Sequence, residues 1–226
     1  MTDRPIIFSA AMVRALLDGR KTQTRRLLSI KGHRKISEFQ RSSTPGYDWT
    51  FRDEKLRWHD LRDNELRRRL RAAQAGDRLW VRENFAMGFD HDDHDMRIGD
   101  EPKPFYAASY DGMRWYDPDR DELRDEPRWK PSIHMPRWAS RLTLVVTGVK
   151  VERLQEISRE DAIAEGCESP LIGTEAPAPA HGVYLADERT SFAQLWNRLH
   201  GPGSWDANPW IVAVSFVTHM RNIDHE

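Results

Sequence analysis

The sequence predicts an α+β fold, a small, partly open β-barrel flanked by helices and interrupted by long insertions. Three observations carry that expectation. Short apolar runs with strand character recur at "RPIIFS", "GDRLWVRENFAM", "SRLTLVVTGVKVERL" and "NPWIVAVSFVTHM". The helical stretches between them are few and unevenly spaced, which does not suit the repeated units of a doubly wound parallel sheet. The last run is itself a strand, placed to pair back into the sheet.

The elements follow in chain order. A short strand at residues 6–8 leads into "AAMVRALLDG", where Met12, Val13, Leu16 and Leu17 recur at helical spacing behind Ser9 as N-cap. Gly19 stands where a left-handed C-cap residue belongs. "KTQTRRLL" suits an extended segment, since its threonines alternate. Residues 30–50 are polar and turn-rich and read as a loop. "EKLRWHDLRDNELRRRLRAAQAG" contains helix-like stretches with charge on most faces. In "GDRLWVRENFAM", Leu79 and Val81 point one way, Trp80 and Arg82 the other. Residues 87–128 form an acidic insertion with a short hairpin expected at "FYAASYDGMRWY". "WKPSIHMPRWAS" is held by prolines outside regular structure. A long strand covers residues 142–151, bent at Gly148. "SREDAIAEGC" is a short helix with Ser158 as N-cap and Asp161 at N3. A Pro/Ala/Gly linker follows over residues 169–189, then "SFAQLWNRLHG", which places Phe192, Leu195, Trp196 and Leu199 on one helix face. The chain reads as a single domain, 1–226, with insertions at about 29–75, 87–128 and 169–189.

Composition narrows the function classes. Apolar residues make up 38% of the 226 residues and charged residues 31%, the balance of a polar globular protein. No apolar run approaches the roughly 20 residues that span a bilayer, so no membrane partner is expected. "MTDRPIIFSAAMVRALL" is interrupted by Arg14 and has no long apolar core, so it does not read as a signal peptide and a cytoplasmic location is expected. Cys167 is the only cysteine, which excludes an intrachain disulfide and a cysteine-based zinc site. The net charge of −1 conceals an asymmetry: through Arg71 there are 18 Lys and Arg against 9 Asp and Glu. A basic front half favours contact with phosphates, and equally describes a solvated surface.

Several constellations could carry chemistry. Lys21 and Thr24 form a base and a latent nucleophile, with Arg20, Arg25 and Arg26 as cationic neighbours. The same residues also fit a solvated or phosphate-gripping edge. In a regular strand, residues three apart face opposite sides, so Lys21 and Thr24 converge only where the segment turns or bulges. Glu83 ends a strand and could enter the barrel mouth or pair with an arginine. Glu165 sits at a helix C-terminus, where the dipole opposes a carboxylate, so a basic partner such as Lys21 or open solvent must compensate. "HDDHD" at residues 91–95 has metal-ligand residue types but reads as an acidic solvated loop, so no metal is expected. Trp129, Lys130, His134, Arg137 and Trp138 could line a nucleobase pocket, or brace a cover over the barrel.

With these residues in view, "LLDGRKTQTRR" resembles the Gly-x-Lys-Thr-x-Thr-x-Arg signature of the ASCH domain family, matched in full by Gly19, Lys21, Thr22, Thr24 and Arg26. "GDRLWVRENF", "LTLVVTGVKVERLQEISREDAIAEG" and "NPWIVAVSFV" fall in the family's order, and the layout looks like the larger ASCH-like proteins often encoded by phages and prophages. The resemblance implies a PUA-like β-barrel and an association with RNA or modified bases. It also implies an amidohydrolase of the kind that removes the acyl group from N4-acetylcytidine without a cofactor, through a Lys-Thr-Glu triad. By position those residues are Lys21, Thr24 and Glu165, with Glu83 as the alternative carboxylate. Arg26 would support the oxyanion, and Trp129, His134, Arg137 and Trp138 would enclose the base. A non-catalytic RNA or modified-nucleotide binding module, or a metal-independent ribonuclease, would use the same residues. Residues 29–75 and 87–128 have no counterpart in the small amidohydrolases, so substrate identity does not transfer with the motif.

Overall fold

A computed structural model describes residues 2–33, 35–91, 94, 97–112, 115–117, 120, 122–168 and 187–225. Its strands are β1 (Asp3–Ile7), β2 (Gln23–Leu27), β3 (Ile36–Arg41), β4 (Trp49–Asp53), β5 (Trp58–Leu61), β6 (Arg78–Arg82), β7 (Phe85–His91), β8 (Arg97–Tyr106), β9 (Trp115–Asp117), β10 (Glu122–Arg124), β11 (Thr143–Arg153) and β12 (Trp210–His219). Its α-helices are α1 (Ala10–Leu17), α2 (Asp63–Arg69), α3 (Arg159–Ala164) and α4 (Glu188–His200). The architecture is α+β. Among the described residues, no helix is long and apolar enough to cross a membrane. The described strand pairings form open sheets, and the chain divides into two compact units whose boundaries fall after Gly19, after Gly76 and inside β11 and β12.

The first unit comprises Met1–Gly19, Asp77–Val145 and Val217–Glu226. Here β1 runs parallel to β6, with Ile6 opposite Val81, and β6 pairs antiparallel with the first residues of β11. Leu79 and Val81 are buried while Trp80 and Arg82 are half-buried, as the alternation in "RLWVR" predicts. The Ser9 hydroxyl caps α1 by accepting from the Met12 amide, and Val13, Ala15 and Leu16 are buried beneath it. A second sheet has the order β10-β9-β7-β8. The expected hairpin at "FYAASYDGMRWY" is instead a crossover, because β8 and β9 pair on opposite sides of β7. "WKPSIHMPRWAS" forms two short 3-10 turns, Ser132–His134 and Arg137–Ala139, with Met135 and Ala139 packed on Phe85.

The second unit comprises Arg20–Gly76 and Val146–Phe216. In it β12 pairs antiparallel with β2, setting Val214 opposite Thr24 and Ala213 opposite Arg25. Leu154, Ile157, Ala162, Phe192, Trp196, Ile211 and Ala213 form one buried cluster that joins α3 and α4 to β12. Residues 30–50 are not simply a loop. They contain β3 and the start of β4, which with β5 make a three-stranded antiparallel sheet. The cause is a two-faced pattern: Phe39 and Phe51 are buried opposite each other, while Glu38 and Arg52 form an ion pair on the other face. Of the helix-like stretches expected within residues 54–76, α2 is the one that forms, because Trp58–Leu61 pair with β4 as β5. Residues 169–186 of the expected linker lie outside the described residues.

Candidate active site

The site grows from the way α3 ends. Ser158 caps its N-terminus, the hydroxyl accepting from the Asp161 amide at 3.0 Å. At the other end Glu165 is the C-cap and Gly166 adopts φ +88°, a left-handed conformation that glycine tolerates best. The Gly166 amide donates to the Ile163 carbonyl and the Cys167 amide to the Ala162 carbonyl, which completes a Schellman turn. That stop leaves the Glu165 carbonyl and carboxylate at the helix end.

The strand entry is clamped against the same point. The Thr22 amide donates to the Ala164 carbonyl at 2.8 Å, and the Thr22 carbonyl accepts from the Phe216 amide at 2.9 Å. Lys21 is thereby delivered to the C-terminus of α3 with its side chain fully buried. Its Nζ donates to Glu165 Oε2 at 2.7 Å, to the Glu165 carbonyl at 2.9 Å and to the Gln23 carbonyl at 2.8 Å. Three ammonium hydrogens thus have three acceptors. The basic partner that a carboxylate at a helix C-terminus calls for is Lys21.

Around this pair lies a charge network that the sequence only hints at. Arg25 is buried, and its guanidinium reaches Glu152 Oε1 at 3.0 Å, Asp161 Oδ2 at 2.9 Å and Glu165 Oε1 at 3.4 Å. Lys150 pairs with the other oxygen of Glu152. Lys21, Arg25 and Lys150 therefore face Glu152, Asp161 and Glu165, three charges against three; Lys21, Arg25, Glu152 and Glu165 are buried, and pairing is how buried ions remain tolerable. An acid at the buried position of "KVER" was the available signal for Glu152, but its partner depends on a long-range strand register. Burial first, and the neighbouring Glu165 charge second, push the Cys167 thiol up to about 11.

Thr24 is 4% exposed and lies in β2 opposite Val214. Strand alternation directs its side chain to the face opposite those of Gln23 and Arg25. Lys21 nevertheless folds back as far as the peptide that leads into Thr24, since it holds the Gln23 carbonyl. Arg26 is exposed at the next position but one. The structure thus joins Lys21 directly to Glu165, with Thr24 one peptide away from the ammonium.

The remaining sequence-predicted residues belong to the first unit. Glu83 is buried and held by Arg141, Nε to Oε1 at 2.9 Å and Nη2 to Oε2 at 3.0 Å, so the arginine-paired reading describes it. The Arg141 guanidinium lies 4.0 Å from the centre of the Tyr106 ring, and burial raises the Tyr106 hydroxyl above its ordinary range. Arg137 binds Asp3 and Asp224 and so fastens β1 to the C-terminal residues. Trp129 is half-buried with its ring edge-on to Tyr110, while His134 and Trp138 are exposed. In "HDDHD", Asp92, Asp93 and Asp95 lie outside the described residues. A cleft of about 560 Å³ in the second unit is lined by Arg41, Trp49, Asp63, Arg67 and Lys150 among others, and by none of Lys21, Thr24 or Glu165.

Compared with family models, with curated proteins and with solved structures, the chain matches none.

Proposed function

We propose that this chain is an ASCH-type amidohydrolase that removes the acyl group from an N4-acylated cytosine nucleoside or a related amide. The observation that carries the reading is the buried 2.7 Å contact between Lys21 of the Gly-x-Lys-Thr-x-Thr-x-Arg stretch and Glu165, two residues 144 positions apart in sequence. A buried lysine–carboxylate pair can relay a proton, and Thr24, which follows the Gln23 carbonyl that Lys21 holds, is the nucleophile this reading assigns.

In this reading Lys21 passes a proton to Glu165, and the neutral amine then takes the proton of the Thr24 hydroxyl. Thr24 Oγ attacks the acyl carbon, and the C–N bond breaks as the cytosine amine leaves with a proton from Lys21. Water then hydrolyses the acyl ester on Thr24, releasing the acid. Backbone N–H groups or Arg26 stabilise the oxyanion. The finer fold assignment belongs with the same proposal: the strands are an opened PUA-like barrel with insertions. The test follows N4-acetylcytidine by chromatography. Turnover by the wild type that disappears in Thr24→Ala supports the reading; no wild-type turnover, or undiminished turnover by Thr24→Ala, sinks it.

The second reading, a binding module for RNA or modified nucleotides, draws on the excess of 18 basic over 9 acidic residues through Arg71. Affinity that falls steeply with salt and survives Thr24→Ala would favour it.

A further inference from the structure

The inserted three-stranded sheet brings two imidazoles onto one carboxylate. Asp53, the last residue of β4, is fully buried; His59 lies in β5, in register with Phe51; and His33 reaches in from the loop before β3. His59 Nε2 is 2.9 Å and His33 Nδ1 4.0 Å from Asp53 Oδ2, and the three potential ligand atoms all lie within 4.8 Å of one another. Phe51 fixes both rings, edge-on to His33 at 4.8 Å and stacked on His59 at 4.9 Å. Asp53 Oδ1 is committed to the Lys55 and Arg57 amides of the β4–β5 turn, which leaves Oδ2 as the functional oxygen.

We propose that His33, Asp53 and His59 bind one divalent first-row transition-metal ion, of the Zn(II) class. Ligands on bonds of about 2.0–2.1 Å around a tetrahedral ion stand about 3.3 Å apart; the 2.9 and 4.0 Å separations to Asp53 Oδ2 bracket that value, and the two imidazoles, within 4.8 Å of each other, draw together on the ion. Two imidazoles and a carboxylate suit zinc, iron(II) or cobalt(II) rather than magnesium or calcium, and three protein ligands leave a position for water. Two arginines stand in competition. Arg57 donates to Asp53 Oδ2 from Nε at 2.9 Å and Nη2 at 2.8 Å, but its side chain is 60% exposed and can withdraw into solvent. Arg69 Nη2 lies 3.0 Å from His33 Nε2, which carries a hydrogen once Nδ1 binds metal; Arg69 then turns to the Lys31 carbonyl, already 3.4 Å away.

The competition makes the proposal testable against a purely structural cluster. The full chain, stripped with a chelator and dialysed, is titrated with zinc chloride by calorimetry and with cobalt(II) by visible absorption. The wild type binds one ion per chain. His59→Ala weakens binding by about tenfold or more, since outer-shell partners alone are worth about 10–100-fold. Arg57→Ala tightens it by about two- to fivefold, the worth of an ion pair whose arginine is largely exposed. His33→Ala is read in the same way as His59→Ala should the latter fail to fold. Absence of saturable one-to-one binding, unchanged affinity in the histidine variants, or weaker binding in Arg57→Ala overturns the proposal.

Discussion

Replacing Lys21 by methionine keeps the length and apolar stem of the side chain and removes its charge. The cost follows from three contacts: Lys21 Nζ serves Glu165 Oε2, the Glu165 carbonyl and the Gln23 carbonyl, all at 2.7–2.9 Å in a fully buried place. Removing one partner of a buried ion pair costs about 3–5 kcal/mol. The lower end applies here, because Arg25 remains 3.4 Å from Glu165 and offsets part of its charge, although two cations then face three carboxylates. Glu165→Leu should cost more than Lys21→Met, since it leaves Lys21 and Arg25 facing each other without their shared acceptor. The pair Arg67–Asp63 on α2 provides the comparison: both side chains are largely exposed, so Arg67→Met should cost less than about 1 kcal/mol. Urea unfolding at neutral pH measures all three, and the double variant Lys21→Met/Glu165→Leu should show a coupling of about 0.5–3 kcal/mol. A Lys21→Met variant as stable as Arg67→Met would refute the reasoning.

Three further outcomes are expected. Hydrogen bonding from Arg159 holds the Glu188 carboxyl down at about 2, so its stabilisation is fully present above the ordinary carboxylate range near pH 4.5 and is lost as pH falls toward 2; acid unfolding of Glu188→Gln, followed by circular dichroism, should be shallower across that window. Cys167, pushed up to about 11, should react slowly with a thiol reagent at pH 8 in the native protein, and Glu165→Gln should speed that reaction by removing the charge that helps raise the thiol; an unchanged or slower rate would contradict the placement of Glu165. Gly19 has φ +72° with open space where a methyl group would stand, so Gly19→Ala should lose about 1–2 kcal/mol through backbone strain alone, read as a lower urea midpoint.

Local signals were the ones most legible in the sequence. Ser158 before "REDAIA" and Gly19 after "AAMVRALLD" take the places read for them, because a cap and a left-handed stop act within a few residues. The last strand and the long strand also stood out as apolar runs, although β11 begins and ends a residue or two later than expected. The sheet of β3, β4 and β5 was obscured by its polar composition, since even the buried face of "WTFRD" carries a charge, Asp53, beside Phe51. The Lys21–Glu165 contact was legible as a problem, a carboxylate at the wrong end of a helix, for which Lys21 was one answer. Arg25, Glu152 and Asp161 could not be assembled beforehand, since their meeting depends on where two distant strands and a helix are brought together. The same holds for Asp53: its two histidines come from different segments of an insertion that read as loop and helix.

The most direct test of the account is the turnover rate of Glu165→Gln on N4-acetylcytidine, measured beside the wild type at a temperature where both are folded. If the buried Lys21–Glu165 pair relays the proton, kcat falls by about 10²–10⁴-fold with KM little changed. A folded Glu165→Gln variant that turns over as fast as the wild type would reduce the pair to a structural support and contradict the proposed chemistry.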